Sequence, residues 1–351
     1  QLSKLPKGKM VFAAATRFKP QNNFKPTEGK QRLIHVLHRG NVGQPGEPAT
    51  PGVLPLDPSD DFQLDAELDE GQRRAELARW LTRKDHPLVW RSIVNRVWQY
   101  HFGRGIVQTP NDLGRMGATP THPELLDWLA VEFRDSGQSM KSLHRLIVTS
   151  NVYRQSSQHE AGNSSIDAGN QYLWRANRRR LEAEEIRDSI LAVSGALNPK
   201  MGGPGFYLFE LEKTQHSPHY EYHKFDPADT ASHRRSIYRF IVRSQPDPWM
   251  TTLDCADSSQ STPRRNETLT SLQALSLLNN PFNLEMSRRF ASRVSQSADD
   301  LESKVQRAVE LVLQRPATET EQAEFVAYAQ AHGLPNLCRV LMNLSEFVFL
   351  D

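Results

Sequence analysis

Apolar residues recur every three or four positions through most of the chain after residue 72, a spacing that predicts a largely helical protein. Two helix starts are marked by capping boxes, in which Thr121 precedes Glu124 and Thr318 precedes Glu321. The helices predicted from these patterns are 74–81, 88–102, 125–134, 139–150, 181–197, 270–278, 282–294, 301–313 and 337–349.

The stretches between the predicted helices are polar, or rich in proline and glycine. Residues 40–58 hold five prolines and four glycines, a composition that predicts an extended surface segment. Residues 33–38 and 236–243 are rich in apolar and aromatic side chains and are predicted to be short strands. The expected fold is therefore mainly α, with long irregular Pro/Gly-rich loops, a small β element and room for two lobes.

Changes in composition along the chain suggest three segments. Residues 1–71 are predicted to form an extended N-terminal segment and linker, and residues 72–200 a helical lobe. Residues 201–351 would then hold a histidine-rich loop, a short strand and a C-terminal helical lobe. The break at Gly202-Gly-Pro-Gly205 places the histidine loop near the junction of two lobes, where binding sites often form.

Charge and hydropathy exclude several classes of protein. Mean hydropathy is −0.61, and no apolar run approaches the roughly 18–20 residues that span a bilayer. The 43 Lys and Arg nearly balance the 41 Asp and Glu. The dense basic run Arg178–Arg180 leads directly into glutamates, which indicates internal pairing at a helix start. We therefore expect neither a membrane span nor a nucleic-acid partner.

The histidine loop carries the strongest candidate chemistry. Three of the 12 histidines, His216, His219 and His223, fall within eight residues, with Glu221 between them. Imidazole and carboxylate groups at this spacing can bind Cu, Zn or Fe or can transfer protons. His219, Glu221 and His223 are the candidate catalytic residues, and all four are candidate metal ligands. The alternative is that these side chains are simply solvated.

The tyrosines of the same loop and two arginines are candidate substrate contacts. Tyr220 and Tyr222 alternate with the histidines, and either ring could also serve as a stacking surface for them. Arg264 and Arg265 could clamp a carboxylate or sulfate, or could pair with the acidic residues of Asp254-Cys255-Ala-Asp257.

Several familiar motifs are missing from the sequence. There is no Gly-x-Ser-x-Gly elbow, phosphate-binding loop or Gly-x-Gly-x-x-Gly fingerprint, so serine hydrolases, nucleotide hydrolases and NAD-dependent dehydrogenases are disfavoured. Cys255 and Cys338 are the two cysteines, and no Cys-x-x-Cys-His motif is present for covalent haem attachment.

A set of longer motifs resembles a planctomycete-specific domain of unknown function, over essentially the whole chain. The motifs that carry the resemblance are His86-Pro-Leu88, Asn95-Arg-Val-Trp-Gln99 with His101-Phe-Gly-Arg-Gly105, Thr121-His-Pro-Glu-Leu-Leu-Asp-Trp128, Leu143-His-Arg-Leu-Ile-Val-Thr-Ser150, Tyr153-Arg-Gln-Ser156, Arg179-Arg-Leu-Glu-Ala-Glu184, and Gln273-Ala-Leu275 with Leu278-Asn279. The resemblance implies an exported protein in which such a domain follows a cytochrome c domain, and it implies no established reaction.

Two hypotheses about function follow. The first is an exported, metal-assisted or haem-linked oxidoreductase that acts on a carbohydrate-like substrate through the histidine loop. The second is a non-catalytic binding or scaffold module that docks a cytochrome c domain or a surface partner. In the first case the three histidines should converge on one point, and in the second they should point apart into solvent.

Overall fold

Helices dominate the computed structural model, which describes residues 19–23, 33–53, 62, 64–65, 68–213 and 217–350 and confirms the mainly α fold. In these ranges the helices are α1 Glu70–Leu81, α2 Val89–Phe102, α3 Pro123–Asp135, α4 Met140–Val148, α5 Ala161–Ile166, α6 Ala183–Val193, α7 Pro248–Thr252, α8 Ser271–Asn279, α9 Pro281–Ser295, α10 Leu301–Leu313, α11 Glu319–His332, α12 Leu334–Leu341 and α13 Ser345–Val348. No helix in the described ranges is both long and apolar enough to cross a membrane.

The strands are short and pair as three separate two-stranded antiparallel sheets among the described residues. They are β1 His35–Leu37 with β2 Pro45–Pro48, β3 Arg179–Arg180 with β6 Phe349–Leu350, and β4 Glu210–Lys213 with β5 Pro218–Glu221. The predicted strand at residues 33–38 is thus confirmed. The β4–β5 hairpin corrects the prediction of a loop around His219.

The chain divides into two compact units. The first comprises residues 1–94 and 124–140, and the second comprises residues 95–123 and 141–351. In the first unit, α3 presents Leu126, Leu129 and Phe133 to the interior, and the Trp90 ring lies 6.5 Å from that of Phe133. The Arg91 guanidinium also donates to Asp127 at 2.6 Å, so α3 is held by an apolar face and a polar edge.

The core of the second unit is built from α6, α9, α10 and α12. Its fully buried side chains include Ile186 and Ile190 of α6, Phe290 of α9, Val305 of α10 and Leu337 of α12. Each helix contributes one apolar stripe at a spacing of three or four residues, as the sequence pattern predicts. This core fixes α6, which carries several of the charged side chains described below.

Helix α6 also carries a charged side chain directly into this interior. Arg187 is 1% exposed, and its guanidinium donates to the carbonyl oxygens of Ser232 at 2.7 Å and Arg234 at 3.0 Å. The same guanidinium lies against the rings of Phe206 and Phe282, 5.0 and 5.4 Å from their centroids. Arg187 therefore ties the segment 232–236 to the helical core.

Two predicted elements differ from the structure. The predicted strand 236–243 is instead a short 3-10 turn at Ser236–Tyr238 followed by irregular backbone, and its pairing is an isolated bridge between Phe206 and Arg239. The predicted helix 337–349 ends at Leu341, and a separate short helix, α13, begins at Ser345. In both segments the composition is typical of the predicted element, but the backbone changes direction before the element is complete.

Candidate functional site

At the β4–β5 hairpin, His219 and His223 both lie close to the carboxylate of Glu221. His219 lies opposite Glu212 in the register, and Glu221 lies opposite Glu210. The Nδ1 atoms of His219 and His223 are 3.9 and 3.3 Å from the two carboxylate oxygens of Glu221. Both imidazoles face solvent, with 54% and 72% of their side chains exposed. The hairpin thus groups these three residues at the surface.

The metal prediction for the hairpin involves one residue, His216, that lies outside the described residues. In the part of the chain that the structure describes, no group of three or more His, Cys, Asp or Glu side chains is placed to hold a metal ion. His219, Glu221 and His223 therefore do not form a ligand set by themselves. The four-ligand site that includes His216 stays a prediction.

The hairpin tyrosines pack inward. The rings of Tyr220 and Tyr222 both meet Phe209 edge-on, with centroids 5.0 and 5.4 Å away. The Tyr222 hydroxyl donates to the Gln245 carbonyl at 2.8 Å, and burial raises its pKa to about 12. Both rings thus pack the hairpin against Phe209. A role for them in contacting substrate remains a prediction.

A second group of charged residues surrounds a cleft of about 510 Å³, which we call the charged cleft. Its polar lining includes Glu184 of α6, Arg239, Asp247, Cys255 and Arg265, which come from five separate segments of the chain. The lining also includes the hydroxyl groups of Thr251 and Thr262 and the ring of Tyr100. Four of those five polar side chains fall within residues 239–265, and the fold brings them to Glu184, which lies far earlier in the sequence.

Arg265 reaches into the charged cleft, where it meets Glu184. Its Nη1 donates to one Glu184 oxygen at 2.9 Å and to the other at 3.3 Å, and Glu182 lies 3.5 Å away. The loop that carries Arg265 is held by Gln99, whose amide donates to the Pro263 carbonyl at 3.0 Å. The carboxylates that Arg265 meets are thus those of α6, and not the predicted partners Asp254 and Asp257.

Asp254 is engaged elsewhere, although it precedes the cleft cysteine. Its Oδ2 accepts from Arg180 at 2.9 Å in a mostly buried ion pair, and also from Thr268 and Gln273. Its φ of +65° lies in the left-handed region, which non-glycine residues rarely adopt. These bonds hold the tight turn that delivers Cys255 to the cleft.

Burial and neighbouring charges together shift the pKa values of the acid groups in the cleft. Burial favours the neutral form of Glu184, but the charge and hydrogen bonds of Arg265 outweigh it and lower the pKa of that carboxyl. Burial and the neighbouring Glu184 raise the pKa of the Cys255 thiol to about 11, so it is protonated at neutral pH. The thiol sulfur accordingly lies 3.4 Å from a Glu184 oxygen, to which it donates. Cys255 is therefore a neutral donor here, not a nucleophilic thiolate.

Asp247 closes another side of the cleft as the N-cap of α7. Its Oδ1 accepts from the backbone N–H groups of Trp249 and Met250 at 2.9 and 3.3 Å. Burial nevertheless raises the pKa of the Asp247 carboxyl, despite those bonds and the charges of Arg239 and Arg187. Two carboxyl groups with opposite pKa shifts therefore line one cleft.

Arg239 differs from the other cleft arginine because it is not locked to a carboxylate. Its Nη2 donates to the Cys255 sulfur at 3.5 Å, and among the described residues no Asp or Glu oxygen lies within 4.0 Å of its guanidinium. Nothing in the sequence around Arg239 distinguishes it from neighbouring arginines, so its place in the cleft could not be predicted from the sequence. The Nε of Arg239 is buried without a hydrogen-bond partner among the described residues.

Arg264, the neighbour of Arg265, is exposed at the edge of a smaller hollow beside Gln99 and Glu267. Of the two predicted arginines, one therefore belongs to the charged cleft and the other lies outside it. The hairpin approaches the cleft through Gln245, whose amide donates to the Tyr220 carbonyl at 2.9 Å and which precedes the cleft residues Pro246 and Asp247.

Comparison with known proteins identifies one family. The family model described as PSD1, protein of unknown function (DUF1553), matches residues 73–329, most of the chain. No curated protein and no solved structure matches the chain. The matched range contains every described residue of the charged cleft and of the hairpin. The chain belongs to the PSD1 family of proteins of unknown function.

Proposed function

We propose that this chain is a ligand-binding module and that its charged cleft takes up a polar ligand bearing a carboxylate or sulfate group. The observation that carries the proposal is Arg239, a guanidinium that lines the cleft without a carboxylate partner among the described residues. A buried or half-buried cation is most stable beside an anion. Asp247 and Asp257 also line the cleft, and Asp247 interacts with Arg239 electrostatically, but neither makes a direct ion pair with it among the described residues. A ligand anion would supply that direct pair.

The rest of the cleft lining favours a ligand that also carries hydroxyl groups. Thr262 offers a hydroxyl group along the wall, and Tyr100 offers a half-exposed ring. The Thr251 hydroxyl and the Gln260 amide already donate to the Asp247 carbonyl and the Asp257 carboxylate, so the oxygen of each is left to accept from a ligand. Glu184 is matched by Arg265, so it does not repel an incoming anion as an isolated carboxylate would. A sugar acid or a sugar sulfate combines these features, and a carbohydrate ligand agrees with the expectation for an exported protein.

The test is calorimetric titration of the chain with D-galacturonate and D-glucose 6-sulfate, beside the uncharged sugars galactose and glucose. We expect the acidic sugars to bind and their neutral counterparts to bind more weakly, with affinity falling as salt rises. Arg239→Gln should weaken binding of the acidic sugar by roughly tenfold to a hundredfold, the usual value of a charged hydrogen bond.

The matched control is Arg235→Gln, an exposed arginine four residues earlier whose substitution should leave the affinity unchanged. Equal binding of acidic and neutral sugars, or equal loss in the two variants, would remove the basis for an anion site at Arg239. Absence of any saturable binding in the unmodified chain would argue for the scaffold role alone.

The second candidate function is the metal-assisted or haem-linked oxidoreductase predicted from the histidine loop. The observation that favours it is Glu221, which has an imidazole nitrogen 3.9 Å away on one side and another 3.3 Å away on the other. With His216 this would make a four-ligand set, and a cytochrome c domain in the same exported protein would accept electrons.

Metal content by mass spectrometry, on the purified chain and on His219→Ala, tests this second function. Stoichiometric Cu, Zn or Fe that is lost in the variant supports it. If both proteins stay metal-free after incubation with each ion, the oxidoreductase proposal is contradicted. The ligand-binding module then remains.

A further inference from the structure

A second cleft, of about 610 Å³, lies in the same unit but has a different lining. We call it the glycine-loop cleft because residues 198–205, which include Gly202, Gly203 and Gly205, form one wall. Its volume falls within the range of about 300–1,000 Å³ typical of small-ligand sites. Its chemistry decides which ligand could enter.

The wall formed by the glycine loop is held rigidly. The Arg234 guanidinium donates to the carbonyl oxygens of Pro204 at 2.6 Å, Gly202 at 2.5 Å and Lys200 at 3.1 Å. The same guanidinium stacks 3.9 Å from the centroid of the Tyr238 ring, and the Tyr238 hydroxyl accepts from the Gly202 N–H at 2.7 Å. The wall is thus formed before any ligand arrives, which reduces the entropic cost of binding.

The floor of this cleft is aromatic. Phe206 and Phe209 are buried beneath it, and Tyr207 stands at its edge with 54% of its surface exposed. The Tyr207 ring is fixed by Phe209 and Phe240, whose centroids are 5.3 and 5.0 Å away. A fixed, exposed ring next to a cavity provides a flat apolar face against which a ligand can stack.

The polar groups left over for a ligand are the ammonium of Lys200 at the loop and several hydrogen-bond acceptors. Asp226 and Asp229 each use Oδ1 to accept a backbone N–H of their own turn, from Ala228 and Ala231, both at 2.9 Å. Their Oδ2 atoms make no hydrogen bond within the described residues. The Nη groups of Arg234 already donate to three carbonyl oxygens. Three carboxylates, Glu210, Asp226 and Asp229, outnumber the two cations of the lining, Lys200 and Arg234. The cleft therefore disfavours an anion and favours a ligand with several O–H donors.

From this lining we infer that the glycine-loop cleft is a binding site for a neutral saccharide. A pyranose ring has an apolar C–H face that can stack on Tyr207, and ring hydroxyls that can donate to Asp226 and Asp229. The inference does not rest on the proposed function of the charged cleft, whose ligand carries an acidic group. One cleft would select an acidic ligand and the other a neutral one.

The experiment uses three neutral trisaccharides, cellotriose, maltotriose and mannotriose, in saturation-transfer NMR and calorimetry with the full chain. We expect at least one of them to bind saturably at millimolar concentration. Tyr207→Ala should weaken that binding at least tenfold, because the stacking surface is lost. Tyr172→Ala, at another exposed tyrosine, is the matched control and should bind as the unmodified chain does.

Asp226→Asn provides a second variant that keeps the turn. Asparagine can still accept the Ala228 N–H, but it places an amide donor where the second carboxylate oxygen was. We expect it to weaken binding at least fivefold. Its control is Asp112→Asn, in an identical exposed turn where Oδ1 accepts the Gly114 N–H at 2.9 Å.

The inference is overturned if none of the three trisaccharides binds, or if Tyr207→Ala and Asp226→Asn both bind as tightly as the unmodified chain. It is also overturned if tetramethylammonium binds at this cleft and the trisaccharides do not, since the acceptors would then serve a cation. The charged cleft is tested with acidic sugars and Arg239→Gln, and this cleft with neutral trisaccharides, Tyr207→Ala and Asp226→Asn, so failure of one proposal is distinguishable from failure of the other.

Discussion

Helix α6 and the β4–β5 hairpin both carry several titratable side chains, but those of the hairpin are far more exposed to solvent. Glu184 and Arg187 of α6 are drawn out of water into fixed bonds, whereas His219 and His223 of the hairpin remain largely exposed. The pKa of the Glu184 carboxyl is lowered by Arg265, against the effect of its burial. A cluster of titratable residues in the sequence therefore does not indicate where the fold shifts pKa values. Burial beside a defined charged partner is the better indicator.

The largest effect is expected from Arg187→Met in α6. Two buried carbonyl oxygens, those of Ser232 and Arg234, would lose their donor, and each such loss is costly. We expect the free energy of unfolding to fall by about 2–4 kcal/mol, measured by urea denaturation. Arg235→Met, at an exposed position, is the control and should change it by less than about 0.5 kcal/mol. Equal midpoints for the two variants would mean that Arg187 is not structural.

A smaller effect is expected at Cys255 when Glu184 loses its charge. In Glu184→Gln the negative charge that helps to raise the pKa of the thiol is gone, while Arg239 and Arg265 remain nearby. The pKa of Cys255 should fall, and its alkylation by iodoacetamide at pH 8 should accelerate by roughly three- to tenfold. Mass spectrometry of the modified peptide gives the rate. Cys338, fully buried in the core, is the internal control and should stay unmodified in both proteins; an unchanged rate at Cys255 would refute the coupling.

The smallest effects are expected on the hairpin. His219→Ala and His223→Ala should each change the free energy of unfolding by no more than about 0.5 kcal/mol, because exposed charge contacts contribute little. Tyr222→Phe removes the hydrogen bond to the Gln245 carbonyl and should cost about 1 kcal/mol. Thermal unfolding of the three variants ranks them. A histidine variant less stable than Tyr222→Phe would show that the imidazoles hold the hairpin.

The helices could be predicted from the sequence because their signals are local. Thr318 and Glu321 form the predicted capping box, and α10 spans the predicted residues. The segment 236–243 has the composition of a strand, yet two backbone bonds to Phe206 are all the sheet pairing it receives within the described residues. Strand composition predicts an extended segment, but a partner must also be present, and the sequence does not show partners.

The hairpin and the charged cleft were harder to predict for a similar reason. Strand β4 reads Glu-Leu-Glu-Lys and is exposed throughout, so it lacks the alternating pattern of a half-buried strand. Glu184, Arg239 and Cys255 lie in separate segments that only the folded core brings together. Arg265 could be singled out from the sequence as a carboxylate clamp, but its actual partner could not be, because that choice depends on the position of α6.

The grip of Arg234 on the glycine loop has a consequence for how the loop can be altered. Three of its bonds go to backbone carbonyl oxygens, which every amino acid provides, so the grip does not depend on the loop's side chains. The three glycines are the exceptions. Gly202 and Gly203 have φ of +71° and +83°, which other residues rarely adopt, and a Cβ at Gly205 would lie 2.8 Å from the Tyr238 carbonyl oxygen. The exposed side chain of Lys200 could accordingly be exchanged for a cysteine that carries a fluorescent probe, with the backbone path of the wall retained. The glycine loop is thus a natural place to attach a reporter of ligand entry.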